Sequence, residues 1–333
     1  MKIVCALFLL ATTAHAFVVS PTTTVRNNAL FMSRNSDHQS PQDDNGGILD
    51  RRDMLFRSAL GAAATAAFSL TATPGAAVAA VAVKKVVVAG ATGQTGRRVL
   101  ERLAAAQGLS VIGGVRNVDK ATKTLGESST VVRGAMVQQV GAVDTTAVTL
   151  KHLDVVADSV DEIAATLAGA DALVICTGFI PGNPLKMNEA SHAVDNLGTC
   201  RLVDAAVQAG VKKVVMVSSI LTNGRSWGQA ESPGFVVTNA FGRVLDEKLV
   251  AENHLRAAGV DYTIVRPGGL KAKPPTGALK ISGEDTLAAG EISRDLVADV
   301  CVASLTDPKA SNKVLEIVED DGSPAKVFNG LNM

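Results

Sequence analysis

The chain has 333 residues, with 32 basic and 32 acidic side chains, 47% hydrophobic residues and 3% aromatic residues. A formal net charge of zero argues against a nucleic-acid-binding surface or a polybasic membrane-binding surface. Residues 1–79 are rich in Ala, Ser, Thr and Asn, whereas short Val/Ile/Leu runs alternate with helix-like segments in residues 80–333. We therefore predict one packed domain over residues 80–333, which is long enough to bury a single core.

The N-terminal segment has the composition of two targeting signals in series. Residues 1–16 carry Lys2, a short apolar run and the sequence Ala14-His15-Ala16, as in a cleaved secretory signal peptide. Residues 17–50 begin with Phe17 and contain hydroxyl residues and arginines, which is transit-peptide composition. This arrangement resembles the bipartite presequence of algae with complex plastids and predicts a plastid location.

A third signal is predicted over residues 51–79. The pair Arg51-Arg52 precedes an Ala-rich stretch and the sequence Ala77-Val78-Ala79, which resembles a twin-arginine signal and its cleavage site. This favours the thylakoid lumen or a thylakoid-associated position, while an Ala-rich linker with a chance arginine pair is the alternative. The run is too short and too weakly hydrophobic for a membrane anchor, so we predict no transmembrane span in the mature protein.

The first core strand is predicted to lead into a phosphate-binding loop. Val86–Ala89 is a β-branched run typical of a strand buried on both faces, and a helix reaching about Ala106 follows the glycines. Glycines let the backbone turn tightly and approach a pyrophosphate, which the helix N-terminus then binds. The G-x-x-G-x-x-G spacing resembles that of extended and atypical short-chain dehydrogenase/reductases. The predicted cofactor contacts here are Gly90, Thr92, Gly93, Gln94, Thr95, Gly96 and Arg97.

The second strand, Ser110 to Val115, predicts the choice of nucleotide. It ends at Arg116, where NAD-specific folds usually place an acidic residue for the ribose 2′-hydroxyl. An arginine there, with Arg97 close to the loop, suits the 2′-phosphate of NADP. We therefore predict NADP (NADPH) as the cofactor.

Strands and helices continue to alternate beyond the loop, with strands near Thr149–Val155, Ala172–Cys176 and Val214–Ser218 and helices near Val160–Leu167 and Ser191–Ala209. This succession predicts an α/β fold with a doubly wound parallel sheet, a single Rossmann-type domain whose ligands lie at the carboxyl ends of the strands. Each residue at those ends is also compatible with an ordinary loop role. The residues predicted there are Asp154 at the adenine, Thr177 and Gly178 at the ribose or pyrophosphate, and Ser218 and Ser219 at the nicotinamide.

The second half carries blocks that resemble a known group. These are VDNLGT, VSSILTNG, KLVAENHLRAAGVDYTIVRPGGL, PPTG and EDTLAAGEISRDLVADV. They are similar to the plastid atypical short-chain dehydrogenase/reductases that share the NADP-binding module of the Tic import-associated component. The resemblance implies that Gly90 to Gly96, Arg116, Asp154, Thr177 and the segment Arg266-Pro267-Gly268 line the cofactor, with that last segment, and so Pro267, at the nicotinamide end.

The same resemblance leaves one catalytic position vacant. Catalytic short-chain enzymes pair a serine with Tyr-x-x-x-Lys, in which the lysine lowers the pKa of the tyrosine that transfers the proton. The lysine position resembles Lys248, but Val244 stands four residues earlier, and the single tyrosine, Tyr262, begins a β-branched strand as a core residue. Ketone chemistry is therefore disfavoured, and Ser218, Ser219 and Lys248 stay candidates for the ring end.

Three functions follow. The first is an NADP-dependent oxidoreductase acting on a conjugated acceptor such as a quinone, flavin or tetrapyrrole, a choice that rests on the predicted compartment and on the missing tyrosine. The loop and the Arg116 position also resemble those of biliverdin/flavin reductases. The second is a non-catalytic NADP(H)-binding redox-sensing or docking module on a thylakoid or import complex, and the third is an empty Rossmann shell. The remaining reactive side chains show no metal-ligand or disulfide spacing, so buried thiols and surface or structural histidines are predicted for Cys176, Cys200, Cys301, His152, His192 and His254.

Overall fold

The structure is a computed structural model that describes residues 83–127, 129–133 and 136–333. The three predicted targeting segments, residues 1–16, 17–50 and 51–79, lie outside the described residues. None of the described helices is long and apolar enough to cross a bilayer.

The described residues form twelve strands and eight α-helices. The strands are β1 (Lys85–Ala89), β2 (Ser110–Val115), β3 (Ser129–Arg133), β4 (Met136–Val140), β5 (Thr149–His152), β6 (Ala172–Ile175), β7 (Lys213–Val217), β8 (Asp261–Pro267), β9 (Gly269–Lys271), β10 (Gly277–Ser282), β11 (Glu291–Ser293) and β12 (Lys313–Pro324). The helices are α1 (Gln94–Ala104), α2 (Val118–Gly126), α3 (Val160–Leu167), α4 (Met187–Ser191), α5 (Thr199–Gln208), α6 (Pro233–Asn239), α7 (Val244–Ala257) and α8 (Arg294–Ala303). A π-helix, His192–Gly198, joins α4 to α5.

Eight strands form the central sheet in the order β10-β12-β8-β7-β6-β1-β2-β5. All neighbours in this sheet are parallel except β10, which pairs antiparallel with β12 at the edge. The chain runs outward from β1 through β2 to β5 and then returns to β6 on the other side of β1. The prediction of a doubly wound parallel sheet is confirmed, and its switch point, where such folds bind ligands, lies between β1 and β6.

Both faces of the sheet are covered, which explains the unbroken apolar run of β1. Val86 and Val88 point into a core cluster with α1 and α8, whereas Val87 and Ala89 point into a second cluster with α3, α5 and α7. Successive side chains of a strand face opposite sides, so a strand buried on both faces needs no polar alternation. Tyr262 lies in β8 and packs against the second cluster, as predicted for a strand residue.

The predicted helix from Ser191 to Ala209 begins earlier and is divided by the π-helix. The π-helix ends at Gly198, where a Cβ atom would stand 2.8 Å from Val155 Cγ2 and 2.9 Å from the Ala193 carbonyl oxygen. Only glycine lets the helix approach the segment after β5 so closely. Such local π-helices occur often at functional sites.

Candidate functional site

The glycine loop lies directly against β6. Gly90 has φ +78°, and a Cβ atom there would lie 2.9 Å from the Cys176 carbonyl oxygen. The Gly93 amide donates to the Gly90 carbonyl at 2.9 Å, and Gly96 packs so tightly on that same carbonyl that a Cβ atom would overlap it. The loop therefore has room for backbone alone, which is the requirement for close approach to a pyrophosphate.

Helix α1 begins immediately after this loop and presents an uncapped N-terminus. Gly93 is the N-cap, no side chain caps the helix, and the first turn contains no acidic residue. The amides of Gln94, Thr95 and Gly96 belong to the first turn, whose N–H groups have no partner within the helix. They are directed at the position where an anion binds to a helix N-terminus. Thr92, in the loop before them, is exposed.

Two buried side-chain oxygens beside the loop have no hydrogen-bond partner. One is Thr177 Oγ1, just beyond β6, and the other is Gln94 Oε1 at the start of α1. A buried polar atom without a partner costs about 1–3 kcal/mol, so such atoms mark places where a ligand supplies the partner. Together with the glycine cradle they fit a nicotinamide dinucleotide, and Gly178 lies exposed beside Thr177.

Arg116 and Asp154 follow two neighbouring strands, β2 and β5. The Arg116 side chain is exposed, and within the described part of the chain its guanidinium has neither a hydrogen bond nor an ion pair. The Arg116 carbonyl oxygen lies 3.1 Å from His152 Nδ1, whose ring binds Asp158 on its other side at 3.0 Å. Asp154 Oδ1 accepts the Val156 amide at 2.9 Å and so shapes its own loop. Arg116 is thus available to a phosphate at the strand end.

Arg97, by contrast, has a structural position, and its predicted contact with the 2′-phosphate is corrected. Its side chain is buried, and its guanidinium donates to the carbonyl oxygens of Thr124, Leu125, Glu127 and Gly141, the first three at 3.0 Å. These carbonyls belong to the end of α2 and the chain beyond it. Burial lowers the pKa of Arg97. The side chain therefore ties α1 to α2.

The hydroxyl of Ser218 is also engaged elsewhere, which corrects its predicted role at the nicotinamide. Ser218 is buried, and its Oγ donates to Glu252 Oε1 at 2.5 Å. Ser219 is half-buried, and its carbonyl accepts the Thr222 hydroxyl at 2.6 Å. The Ser218 hydroxyl is therefore held by Glu252.

Arg266 is the counterion of that network, and its predicted place along the cofactor is corrected as well. Its side chain is fully buried, with Nη2 2.6 Å from Glu252 Oε2 and Nη1 2.8 Å from Asp285 Oδ1. Glu284 and Glu316 complete the set of four carboxylates. Burial opposes the charge, but the hydrogen bond and attraction of Glu252 outweigh it and raise the pKa of Arg266.

Pro267 ends β8 next to this network and is buried. Its carbonyl oxygen accepts the Ile220 amide at 3.0 Å, which connects the carboxyl ends of β8 and β7. Its contact with the cofactor therefore stays a prediction.

Lys248 lies in α7 and forms an ion pair with Asp195 of the π-helix, with Nζ 2.9 Å from Oδ1. The Asp195 side chain is fully buried, and its Oδ2 accepts the Phe179 amide at 3.1 Å and the Ser191 hydroxyl at 3.3 Å. Sequence reasoning did not select Asp195, although it lies in the VDNLGT block.

The described cysteines are free thiols, but only Cys301 is buried as predicted, and Cys176 and Cys200 are half-buried. Burial raises the pKa of Cys176 to about 12 and also raises the pKa of Cys200 and Cys301. The three described histidines each contact a carboxylate, Asp158 for His152, Glu247 for His192 and Asp204 for His254. No group of three His, Cys, Asp or Glu side chains suited to a metal ion occurs among the residues that the structure describes.

Exposed apolar side chains follow the carboxyl ends of β6 and β7. They are Ile180, Leu185, Val236, Val237 and Phe241, and we call this set the apolar rim. The two segments that carry it meet where Gly242, with φ +84°, packs against the Met187 carbonyl oxygen and Ser191. The rim therefore adjoins the same edge of the sheet as the glycine loop.

A parallel sheet with a glycine loop at its switch point and unpartnered polar atoms beside it defines a Rossmann-type nicotinamide dinucleotide-binding protein. A family model described as NAD(P)H-binding matches residues 90–308, and the chain belongs to that family.

Two curated relatives are plant proteins. The chain is 42% identical over 253 residues to an uncharacterized chloroplastic protein of Arabidopsis thaliana, covering 76% of this chain and 82% of that one. It is 32% identical over 254 residues to the chloroplastic protein TIC 62 of Pisum sativum, covering 72% of this chain and 43% of that one. The chain thus spans less than half the length of TIC 62.

Among solved structures, an anaerobilin reductase of Escherichia coli, ChuY, has a TM-score of 0.54 at 24% identity. The match covers 73% of this chain and all of that one. At this identity the match shows a shared fold.

Proposed function

We propose that the protein is an NADP-dependent oxidoreductase that reduces a conjugated acceptor such as a quinone, flavin or tetrapyrrole. The observation that carries the proposal is the pair of unpartnered buried oxygens, Thr177 Oγ1 and Gln94 Oε1, beside a loop that admits backbone alone. These atoms lack a partner that a bound dinucleotide would supply.

Different residues of the chain bind different parts of NADPH. The first-turn amides of α1 bind the pyrophosphate, and the closely packed glycines give it room. Arg116, at the end of β2, binds the 2′-phosphate through a charge-assisted hydrogen bond. Asp154 borders the adenine, Thr177 and Gly178 contact the ribose or pyrophosphate, and Lys248 lies toward the ring.

The type of acceptor follows from the missing tyrosine at the position four residues before Lys248. The bound nicotinamide supplies a hydride. The position four residues before Lys248 is Val244, and the single tyrosine of the chain packs in the core from β8. With no phenol at this position, the proton comes from solvent, which suits an acceptor whose reduced form conjugation stabilises. The apolar rim offers a surface on which such a planar molecule can lie.

The compartment is part of the proposal. Two relatives are named as chloroplastic, and residues 1–79 have the composition of plastid and thylakoid targeting signals. We place the protein in the plastid, at or in the thylakoid.

The second candidate function is a non-catalytic NADP(H)-binding module that senses redox state or docks on a complex. It is favoured by the similarity to TIC 62, of which this chain covers the smaller part. Turnover separates the two functions, because the docking module binds NADPH without consuming it.

The test combines nucleotide titration with a turnover screen on the full chain. Thr177→Val keeps the side-chain shape and removes the unpartnered hydroxyl, so we expect weaker NADPH binding by roughly tenfold, the value of one hydrogen bond to a charged group. Thr263→Val is the matched control, since the Thr263 hydroxyl is buried in β8 and donates to the Ala310 carbonyl at 2.6 Å. It should lower thermal stability and leave NADPH affinity unchanged.

NADPH oxidation is then followed at 340 nm with quinones, flavins and linear tetrapyrroles. The oxidoreductase function is supported if the wild type oxidises NADPH with any of these acceptor classes and Thr177→Val does so at a lower rate. Tight NADPH binding without turnover supports the docking module. A chain that binds neither NADPH nor NADH refutes both.

A further inference from the structure

The Lys248–Asp195 ion pair lies beside the loop that leaves β6. Asp195 Oδ2 accepts the Phe179 amide, and a Cβ atom on Gly178 would stand 3.8 Å from Asp195 Oδ1. The Lys248 charge also lies near enough to Cys176 to act on that thiol. The pair is therefore next to the switch point, on the side of the sheet away from Arg116.

Burial makes the pair electrostatically significant. The Asp195 side chain is 0% exposed and that of Lys248 is 16% exposed. Charges at such positions are weakly screened by solvent, so removal of either one leaves an uncompensated unit charge. In the wild-type protein the two charges sum to zero.

A nicotinamide ring distinguishes these charge states, because it is neutral in NADPH and carries one positive charge in NADP⁺. A lysine without a counterion near the ring would repel NADP⁺ and so disfavour hydride donation by NADPH. A lysine whose charge is neutralised by a buried aspartate does not favour NADPH over NADP⁺.

We propose that Asp195 is a positioning residue that fixes Lys248 at the nicotinamide end and cancels its charge, so that NADP⁺ is not disfavoured relative to NADPH. The inference rests on the proposed function, since it takes the ring to lie near Lys248. Asp195 also anchors the loop of Thr177 through the Phe179 amide, so one carboxylate orders both sides of the ring site.

The readout is the ratio of dissociation constants, Kd for NADP⁺ over Kd for NADPH, measured on the full chain at pH 8. Asp195→Asn keeps an acceptor for the Phe179 amide and leaves Lys248 positive, so the ratio should rise. If the ring lies within about 8 Å of Lys248, an uncompensated unit charge at an effective dielectric constant of about 20 changes such a ratio by roughly tenfold or more. Lys248→Met leaves Asp195 negative, so its ratio should fall.

The double variant Asp195→Asn with Lys248→Met removes both charges, and its ratio should return to the wild-type value. A role confined to folding would not move the two single variants in opposite directions. If Asp195→Asn does not fold, Lys248→Met decides the matter, since it must lower the ratio, and a ratio within twofold of wild type in this variant overturns the inference.

The chain contains a matched control pair. Lys213 Nζ lies 3.0 Å from Asp261 Oδ1, and the Lys213 side chain is 3% exposed, but the pair stands at the amino ends of β7 and β8. Asp261→Asn should lower stability and leave the ratio unchanged.

The inference is overturned if Asp195→Asn leaves the ratio within twofold of wild type, if the rise persists in the double variant, or if Asp261→Asn produces the same rise. Wild-type protein that binds neither nucleotide would instead refute the proposed function itself. Binding of both nucleotides with unmoved ratios refutes the inference alone.

Discussion

Two arginines near the glycine loop have different surroundings. Arg116 is exposed at the end of β2 and has no side-chain partner within the described residues, whereas Arg97 is buried and bound to four backbone carbonyls. We predict that Arg116→Glu weakens NADPH binding by tenfold or more, because one charge-assisted contact with the 2′-phosphate is lost and a repulsive carboxylate replaces it. NADH binding should be unchanged or stronger, since its ribose hydroxyl can donate to the new carboxylate.

Arg97→Met should have the opposite signature. The variant leaves carbonyls at the end of α2 without their donor, and hydrogen bonds to a charged group contribute about 1.5–3 kcal/mol. Water can replace part of that loss, so we expect about 2–4 kcal/mol of lost stability. For a domain of this size this corresponds to a fall in Tm of roughly 5–15 °C.

Both variants are examined by the same two assays, nucleotide titration by fluorescence and thermal unfolding. The prediction requires a changed NADPH to NADH affinity ratio with near-normal Tm in Arg116→Glu, and an unchanged ratio with lowered Tm in Arg97→Met. Equal affinities for NADPH and NADH in the wild type, or an altered ratio in Arg97→Met alone, would refute the assignment of Arg116.

Three further predictions follow from buried side chains. Burial raises the pKa of Glu319, but hydrogen bonds from Thr276, Lys271, Gly277 and Ser293 outweigh it and lower the pKa to about 2. The ionised Glu319 carboxylate therefore contributes its full stabilisation above about pH 4.5, and this contribution is lost as the pH falls toward 2. In denaturant unfolding, Glu319→Gln should reduce the pH dependence of the unfolding free energy by about 3 kcal/mol over this range. An unchanged acid profile would contradict this prediction. Ser218→Ala should lower the free energy of unfolding in urea by about 1–3 kcal/mol and leave NADPH affinity unchanged, because the Ser218 hydroxyl donates to Glu252. Weaker NADPH binding at normal stability would instead assign Ser218 to the nicotinamide site. With a pKa of about 12, Cys176 should react with iodoacetamide at pH 8 far more slowly than in the denatured chain, as measured by peptide mass spectrometry, and equal rates would show an accessible thiolate.

The amino-acid sequence alone was sufficient to predict the elements that depend on near neighbours in the chain. Within twenty residues the chain contains the valines of β1, the glycines after it and the helix that follows. Their spacing predicts the strand, the turn and the helix N-terminus. The alternation of strands and helices likewise predicted the doubly wound sheet, because parallel strands require such crossovers.

Tertiary packing decided the partners of the charged side chains. Arg97 and Arg116 are both basic residues close to the loop in sequence, yet Arg97 binds carbonyls 27 to 44 residues away and Arg116 does not. Arg266 was assigned to the cofactor, but it meets carboxylates 14 to 50 residues away that converge on it from α7, β12 and a loop.

Asp195 shows the same limit. Its contact with Lys248 exists because α7 packs beside the π-helix. Hydrophobic periodicity tells which face of a helix is buried, but a side chain's ionic partner depends on where separate elements meet in space. The sequence therefore predicted the glycine loop as the nucleotide-binding element, and packing determined which charged side chains near it are bound to other parts of the protein.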